Sequence, residues 1–362
     1  MFKVGIVGAG WYGCHIASSL ASLGFEVTVY DKNKRLLDGA SGNNQFRLHL
    51  GFHYARHHGT RLQSRDGFQR FLERYPSLSE RVANNVYAVP KQASLMDFST
   101  YKLIMAASGI DFIEMPNPPA LIANVEGCLL TRERVIMLQR AREFFMERLQ
   151  DHLELDTQID SVRDLENCVE INGRRFDYLI DATWGHLIRP NIEVIYEPTL
   201  LLYYECTREA PALTFVDGPL CSVYPTEDPT IYTLSSVVHT PLGRYETPLQ
   251  AYAQRDSVSK DLVDAKRLAM ESQVSKNVPA FRDLFRFVGV QLAIKTKPIG
   301  QYDDRSCYVF QDGRVFTVMS GKIDTIFFAT ERILSMMGAQ ISGLAFPGLR
   351  SSLRDSIIMP MS

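Results

Sequence analysis

Apolar and polar positions along the chain follow two periods, one helical and one of alternating residues. Residues 3–7, Lys-Val-Gly-Ile-Val, form a short β-branched run of the kind found in a buried strand. Over 11–23 the apolar residues Ile16, Leu20 and Leu23 recur at helical spacing, and Gly24 supplies a stop. Residues 25–30 predict a second strand, ending at Asp31. Helices are predicted over 61–75, closed by Pro76, and over 98–108. Another is predicted over 131–149, with an apolar stripe at Val135, Leu138, Ala141, Phe145 and Leu149. Thr131 is its expected cap, with Arg134 where a capping box would carry glutamate. Strand patterns cover 86–90, 155–162, 169–171, 199–205, 213–216, 221–224 and 230–238. A single long helical stretch is expected over 248–274, with 260–267 as an exposed charged face.

Composition narrows the function classes. The 362 residues are 46% hydrophobic, enough for one large core or two smaller ones. With 39 basic against 41 acidic side chains, nucleic-acid or anionic-membrane binding is not the expected main activity. No stretch of about 18 apolar residues suggests a membrane span, and residues 1–7 do not have the pattern of a signal peptide. Cys14, Cys128, Cys168, Cys206, Cys221 and Cys307 contain no CxxC pair and predict neither a metal site nor a disulfide framework. Reduced, buried thiols in a cytoplasmic protein are expected. No internal repeat is visible.

The chemistry begins at Gly8-Ala9-Gly10-Trp11-Tyr12-Gly13, placed between the first strand and the first helix. Gly8 permits a tight turn, Gly10 lets a pyrophosphate approach the backbone, and Gly13 lets helix and strand pack closely. The helix N-terminus offers amide donors and partial positive charge to phosphate. Asp31, followed by Lys32, stands where a carboxylate can accept hydrogen bonds from ribose hydroxyls. This fingerprint predicts a dinucleotide without separating NAD from FAD.

The next segment separates them. Lys32-Asn33-Lys34-Arg35 is followed by Gly39-Ala40-Ser41-Gly42-Asn43-Asn44-Gln45 and then by Phe46-Arg47-Leu48-His49-Leu50-Gly51-Phe52-His53-Tyr54. Two later stretches, Asp177-Tyr178-Leu179-Ile180-Asp181-Ala182-Thr183-Trp184-Gly185 and Val315-Phe316-Thr317-Val318-Met319-Ser320-Gly321-Lys322-Ile323-Asp324-Thr325, complete the pattern. In this order the chain resembles the D-amino-acid oxidase-like superfamily of FAD-dependent oxidoreductases. The resemblance implies an α/β fold: a Rossmann-like FAD-binding domain of glutathione-reductase type, interleaved with an α+β substrate domain on a mostly antiparallel sheet. It implies FAD bound by the glycine turn with Asp31 and Lys32, and by Ser41, Gly42, Asn43, Asn44 and Gln45. It further implies contacts at Ile159, at Thr183, Trp184 and Gly185, and at Ser320, Gly321, Lys322 and Ile323. Departures from the family pattern are Asp31 where glutamate is commoner, Thr183-Trp184 inside the usual Ala-x-Gly, and Ser320 in place of a glycine.

With FAD bound, the expected reaction removes hydride from a carbon bearing an amine or hydroxyl in a small anionic substrate. Arg47, His49 and Lys295 are the catalytic candidates; Arg47, His49 and Gly51 share one face if their alternation is that of a strand. His53, Tyr54, Tyr224, Tyr232 and Arg305 are the substrate-binding candidates, although each also suits a core or surface position. The expected domains are 1–80, 125–190 and 297–345 for cofactor and 81–124 and 191–296 for substrate, with 346–362 as a tail. Oxygen or another acceptor would take the electrons, and a homo-oligomer is left open. The competing readings are an NAD(P)-dependent dehydrogenase and a flavin-holding protein with a non-redox or partner-subunit role.

Overall fold

In the computed structural model, which describes residues 2–206, 208–299 and 304–341, the first two apolar runs are parallel neighbours, Lys3–Val7 and Glu26–Tyr30. They sit within a six-stranded sheet. Tyr178–Asp181 flanks the first strand and Val315–Met319 lies beyond it, both parallel. Leu153–Glu154 closes one edge, and Tyr308–Asp312 runs antiparallel at the other. These strands read as continuous apolar runs because both faces of the sheet are covered. The helices Trp11–Ser22 and Ile326–Ile341 pack on each other. A meander of Val162–Asp164, Val169–Ile171 and Arg174–Phe176 brings Val169, Ile171 and Phe176 into one cluster with Val7, Tyr30 and Leu179. A methyl at Gly5 would stand 2.4 Å from Ile171 Cδ1, so glycine sets this close approach.

The chain divides into two compact units, one from the described parts of 1–38, 142–191 and 307–362, the other from 39–141 and 192–306. Residues 39–80, 125–141, 297–299 and 304–306 thus group with the second unit and not, as expected, with the first. The cause is pairing. Arg134–Ile136 lies between Arg47–Leu48 and Ser79–Arg81, and Lys297 and Pro298 finish a strand paired to Val194 and Ile195. The tail expected over 346–362 lies outside the described residues.

The second unit is built on an eight-stranded, mostly antiparallel sheet. In spatial order its strands are Arg286–Pro298, Val194–Glu205, Ile231–Ser236, Cys221–Pro225, Ala212–Phe215, Asn85–Pro90, Val125–Thr131 and Ile113–Met115. One face carries Leu200, Leu202, Val223 and Leu234 against Met270 and Phe281. Side chains alternate across the sheet, so the partnered pairs Glu197 with Lys295, Tyr224 with Thr233, and Thr214 with Ser222 share the other face. That face is polar, yet Glu197, Tyr224, Thr233, Thr214 and Ser222 are all buried.

Three predicted elements change. Thr131 ends a strand instead of capping a helix, Val135 and Ile136 form a strand paired on both sides, and the helix is Leu138–Leu149. Residues 155–161 form a connection, and the strand begins at Val162. The 248–274 stretch is two helices, Pro248–Asp256 and Lys260–Val274. Ser259 caps the second by accepting from the Leu262 amide at 3.2 Å. The helix His58–Arg74 starts with His57, whose Nδ1 accepts from the Thr60 amide at 3.0 Å.

Arg61 on this helix is buried and donates to Ser108 Oγ at 2.6 Å and to the carbonyls of Tyr54 and Ala55 at 3.0 and 2.8 Å. Arg61→Ala would strand these acceptors, so a loss of about 3 kcal/mol is expected in urea unfolding. An unchanged midpoint would contradict the clamp.

Candidate functional site

In the first unit, Gly8 adopts φ +103°, and a Cβ there would stand 2.9 Å from the Ala182 carbonyl oxygen. At Gly13 a Cβ would fall 1.8 Å from the Gly8 oxygen, inside any permissible contact. Gly10 caps the helix Trp11–Ser22 in extended conformation and contributes no side-chain cap. The first-turn amides are thus not taken by a capping side chain. Asp31 Oδ2 accepts from the Ala9 amide at 2.7 Å, and Oδ1 accepts from the amide and the side chain of Asn33 at 2.8 and 2.9 Å. A carboxylate has about four acceptor sites, so Oδ2 can still take a ribose hydroxyl. Lys32 is exposed. Trp11 is buried edge-on to Phe145 at 5.7 Å, which makes its ring part of the core and leaves only its backbone for a ligand.

The two later stretches meet the same turn. Tyr12 Oη donates to the Lys322 carbonyl at 2.7 Å and lies 2.6 Å from Thr325 Oγ1, which in turn contacts Ser320 Oγ at 2.9 Å. Lys322 is buried and begins the turn Ile323–Thr325, which leads into the helix Ile326–Ile341. Trp184 (φ +63°) and Gly185 (φ +77°) are both left-handed. Thr183 Oγ1 donates to Asp181 and accepts from the Leu187 amide at 2.9 Å. Burial pushes the Asp181 carboxyl up to about 6, opposed by its bonds from Thr183 and Ile188. Ile159 lies on a connection with its side chain in the apolar cluster, so it too has only backbone to offer.

Trp184 and Gly321 explain each other. A Cβ on Gly321 would sit 2.3 Å from Trp184 Cζ2. Gly321→Ala should therefore lower the melting temperature by several degrees, and Trp184→Ala in the same chain should recover it. Additive losses in the double variant would refute the packing.

In the second unit, residues 39–46 form a self-bonded coil. Asn43 Nδ2 donates to the Gly39 carbonyl at 2.9 Å and Asn44 Nδ2 to that of Ser41 at 3.0 Å, while Gly42 N reaches Gly39 at 3.1 Å. The coil lies on the polar face of the sheet. Gln45 accepts from Ser222 Oγ at 2.9 Å and donates toward Thr233 Oγ1 at 3.2 Å, and Gln291 Nε2 donates to the Asn44 carbonyl at 2.9 Å.

Arg47 is buried with its guanidinium 4.1 Å from the centre of the Tyr224 ring, and its Nε and Nη2 have no hydrogen-bond partner. The expected strand stops at Leu48, and Gly51 turns the chain at φ +114°. His49 nevertheless reaches 3.7 Å from Glu133 and packs tilted against His53 and edge-on to Tyr54, at 5.8 and 5.7 Å between ring centres.

Glu133 was not singled out by sequence. It is fully buried, accepting from the Leu50 amide at 2.8 Å and from Tyr87 Oη at 2.7 Å. Burial raises its carboxyl, but bonding and charge from His49, with Tyr87 and Arg47, outweigh that and hold it below its ordinary value.

Lys295 faces Glu197, which also pairs with Lys297. Burial first, then the charges of Lys297 and Arg305, bring the Lys295 amine down to about 8, with Glu197 opposing. The Arg305 amide donates to Thr60 Oγ1 at 2.9 Å. The strand of Lys295 and that of Tyr224 are three steps apart in the sheet, roughly 14 Å. Tyr232 belongs elsewhere. It points to the apolar face, donating to the Ala210 carbonyl at 2.7 Å and packing on Phe285. Among the described residues, no group of three or more His, Cys, Asp or Glu could hold a metal ion, and no helix is long and apolar enough to cross a membrane.

The glycine cradle fits a dinucleotide pyrophosphate, because side chains at Gly8 and Gly13 would collide with fixed backbone. A family model described as FAD dependent oxidoreductase (DAO) matches residues 3–190. The chain is 57% identical over 335 residues to the FAD-dependent monooxygenase FPY4 of Fusarium mangiferae, covering 92% of this chain and 91% of that protein. It is 26% identical over 367 residues to the FAD-dependent monooxygenase kojA of Aspergillus flavus, covering 92% and 85%. The L-alpha-glycerophosphate oxidase of Mycoplasma pneumoniae, solved with FAD bound, shares the fold at TM-score 0.69 and 12% identity, covering 92% of this chain and 94% of that one.

Proposed function

The chain belongs to the DAO family of FAD-dependent oxidoreductases, and from that premise we propose that it takes hydride from a carbon bearing a hydroxyl or amine in a small polar substrate. Bound FAD supplies the hydride acceptor. The observation that carries the reading is the buried polar face of the eight-stranded sheet. Arg47 Nε and Nη2, Thr214 Oγ1, Asn85 Oδ1 and Gln291 Oε1 are buried there without hydrogen-bond partners. Buried polar atoms without a protein partner are costly unless water or a ligand completes them.

On this face Arg47 orients the substrate through its guanidinium fork. His49, held by Glu133, accepts or returns the proton of the reacting heteroatom. Lys295 places a cation where negative charge develops. Oxygen or another acceptor completes the cycle.

Anaerobic mixing with a panel of small alcohols, amines and hydroxy acids tests this. Loss of the visible flavin band on adding substrate alone is expected. A second reading follows from the names of FPY4 and kojA: monooxygenation, in which an oxygen atom enters the product. Bleaching that requires NAD(P)H, with labelled oxygen in the product, would replace the first reading by the second.

A further inference from the structure

Taking His49 as the group that accepts the substrate's proton, we infer that Glu133 and Tyr87 are its positioning residues. Together they turn Nδ1 of the imidazole inward with its proton and leave Nε2 as the basic nitrogen. The inference rests on that reading of His49, and it singles out His49 from His53 beside it.

Strand pairing sets His49 against Glu133. Arg47 pairs with Val135 and Leu48 with Arg134 in antiparallel register, so the next position places His49 across from Glu133. The chain is held beyond His49 as well. The Leu50 amide donates to Glu133 Oε1 at 2.8 Å and the Tyr101 hydroxyl to the Phe52 carbonyl at 2.8 Å. A Cβ at Gly51 would stand 2.9 Å from the Arg61 carbonyl oxygen. From this fixed place His49 directs Nδ1 at Glu133 Oε1, 3.7 Å away. Contacts of this kind are often long in a free enzyme and tighten in the complex.

The carboxylate is fixed too. Its Oε2 takes the Tyr87 hydroxyl at 2.7 Å, and Tyr87 is fully buried. Oε1 takes the Leu50 amide and has acceptor capacity left for His49. Leu50 and Tyr87 are neutral donors, which do not balance a buried charge. An imidazolium at His49 does. When an O–H or N–H bond of the substrate gives its proton to Nε2, the charge gained by the ring meets an opposite charge already in place. The C–H bond gives its electron pair with hydride to the bound flavin and the carbon–heteroatom bond becomes double, so protons and electrons balance.

Around this pair, Tyr101 on the helix Phe98–Ala107 and Tyr224 on its strand are held neutral by burial, as is Tyr87. Arg47 is charged throughout. Arg56, farther along the loop, is paired to Asp217, and Tyr54 lies edge-on to His49. His53, tilted against His49, also titrates near neutral pH and is therefore the control.

The test follows FAD-loaded protein with isotope-labelled histidine nitrogens by NMR across neutral pH, the His49 signals being those lost in His49→Gln. Neutral His49 should carry its proton on Nδ1. Glu133→Gln should lower the midpoint of its titration by at least about one pH unit, because the charge favouring the imidazolium is gone. Tyr87→Phe keeps that charge but lets the carboxylate turn, so the two neutral tautomers should become mixed. Tyr101→Phe loosens the same loop at Phe52 and should change neither readout. A proton on Nε2 in the wild type, a midpoint unmoved by Glu133→Gln, or an equal movement in Tyr101→Phe would overturn the inference. The wild-type tautomer in Tyr87→Phe would strike Tyr87 from it. Should Glu133→Gln not fold, the tautomer of the wild type decides alone. With a substrate that bleaches the flavin, the acid limb of kcat/KM should move to lower pH in Glu133→Gln and stay in place in His53→Gln. A limb that vanishes with His53 would assign the proton to that ring and overturn the inference. A protein whose His49 titrates as expected, yet which no substrate reduces, sinks the reaction and leaves the positioning standing.

Discussion

Replacing Gly13 with alanine is expected to yield a colourless protein. The added methyl would lie 1.8 Å from the Gly8 carbonyl oxygen, where a relaxed contact needs more than 3 Å. Neither partner is a side chain that can swing aside. Gly8 is fixed by the hydrogen bond that its N–H donates to the Tyr30 carbonyl at 2.7 Å and lies against Ala182. The helix must therefore move off the first strand by more than 1 Å, taking its N-terminal amides away from the pyrophosphate. A loss of at least about a hundredfold in FAD affinity, roughly 2.7 kcal/mol, should follow. The ratio of flavin to protein absorbance after purification, and a titration with added FAD, measure it. Gly24→Ala is the control: its φ of +86° makes alanine strained, but nothing lies within 4 Å of the new methyl. That variant should lose about 1 kcal/mol of stability and keep its colour. Stoichiometric flavin of unchanged affinity in Gly13→Ala would contradict the fit of the cradle.

This site was legible because its chemistry is local. Strand, glycine turn, helix and Asp31 fall within the first 31 residues, and Gly13 answers a contact with Gly8 inside that stretch. Trp184 and Ser320 stood out only as departures from the family pattern. The structure shows the reason for one of them: the indole takes the space that Gly321 leaves.

Glu133 was illegible for the opposite reason. Its sequence, Thr131-Arg132-Glu133-Arg134, reads as a helix start, and its bonds go to Tyr87 and Leu50, which are 46 and 83 residues away. Only pairing on both sides of Arg134–Ile136 makes this segment a turn between strands. Tyr224 and Tyr232 show the same limit within one hairpin. Both are strand tyrosines, but the register pairs Tyr224 with Thr233, so Tyr232 must face the apolar side. Alternation says that the two differ in direction. It cannot say which faces the ligand until the neighbouring strands are known.

Lys295→Met should separate function from stability. The Lys295 amine is brought down to about 8, chiefly by burial, so in the folded chain it loses its proton more readily than in the unfolded one. Below pH 8 it is charged in both states and the fold bears the full cost of its burial. Between about 8 and its ordinary value the unfolded chain binds more protons, so wild-type stability rises with pH across that window. Methionine has no such cost. The variant should therefore melt at least as high as the wild type at pH 7, and the advantage should fade as the solution is made more alkaline. Turnover should move the other way. If the charged amine stabilises negative charge during electron transfer, its removal costs on the order of a hundredfold in kcat/KM. The wild-type rate should fall as pH rises through about 8, while the variant is flat over the same range. Lys295→Arg, which keeps the charge, should retain most of the rate at pH 7. A variant that melts well below the wild type at pH 7 would contradict the cost of burying the amine, and one that keeps the alkaline limb of the wild type would remove Lys295 from the reaction.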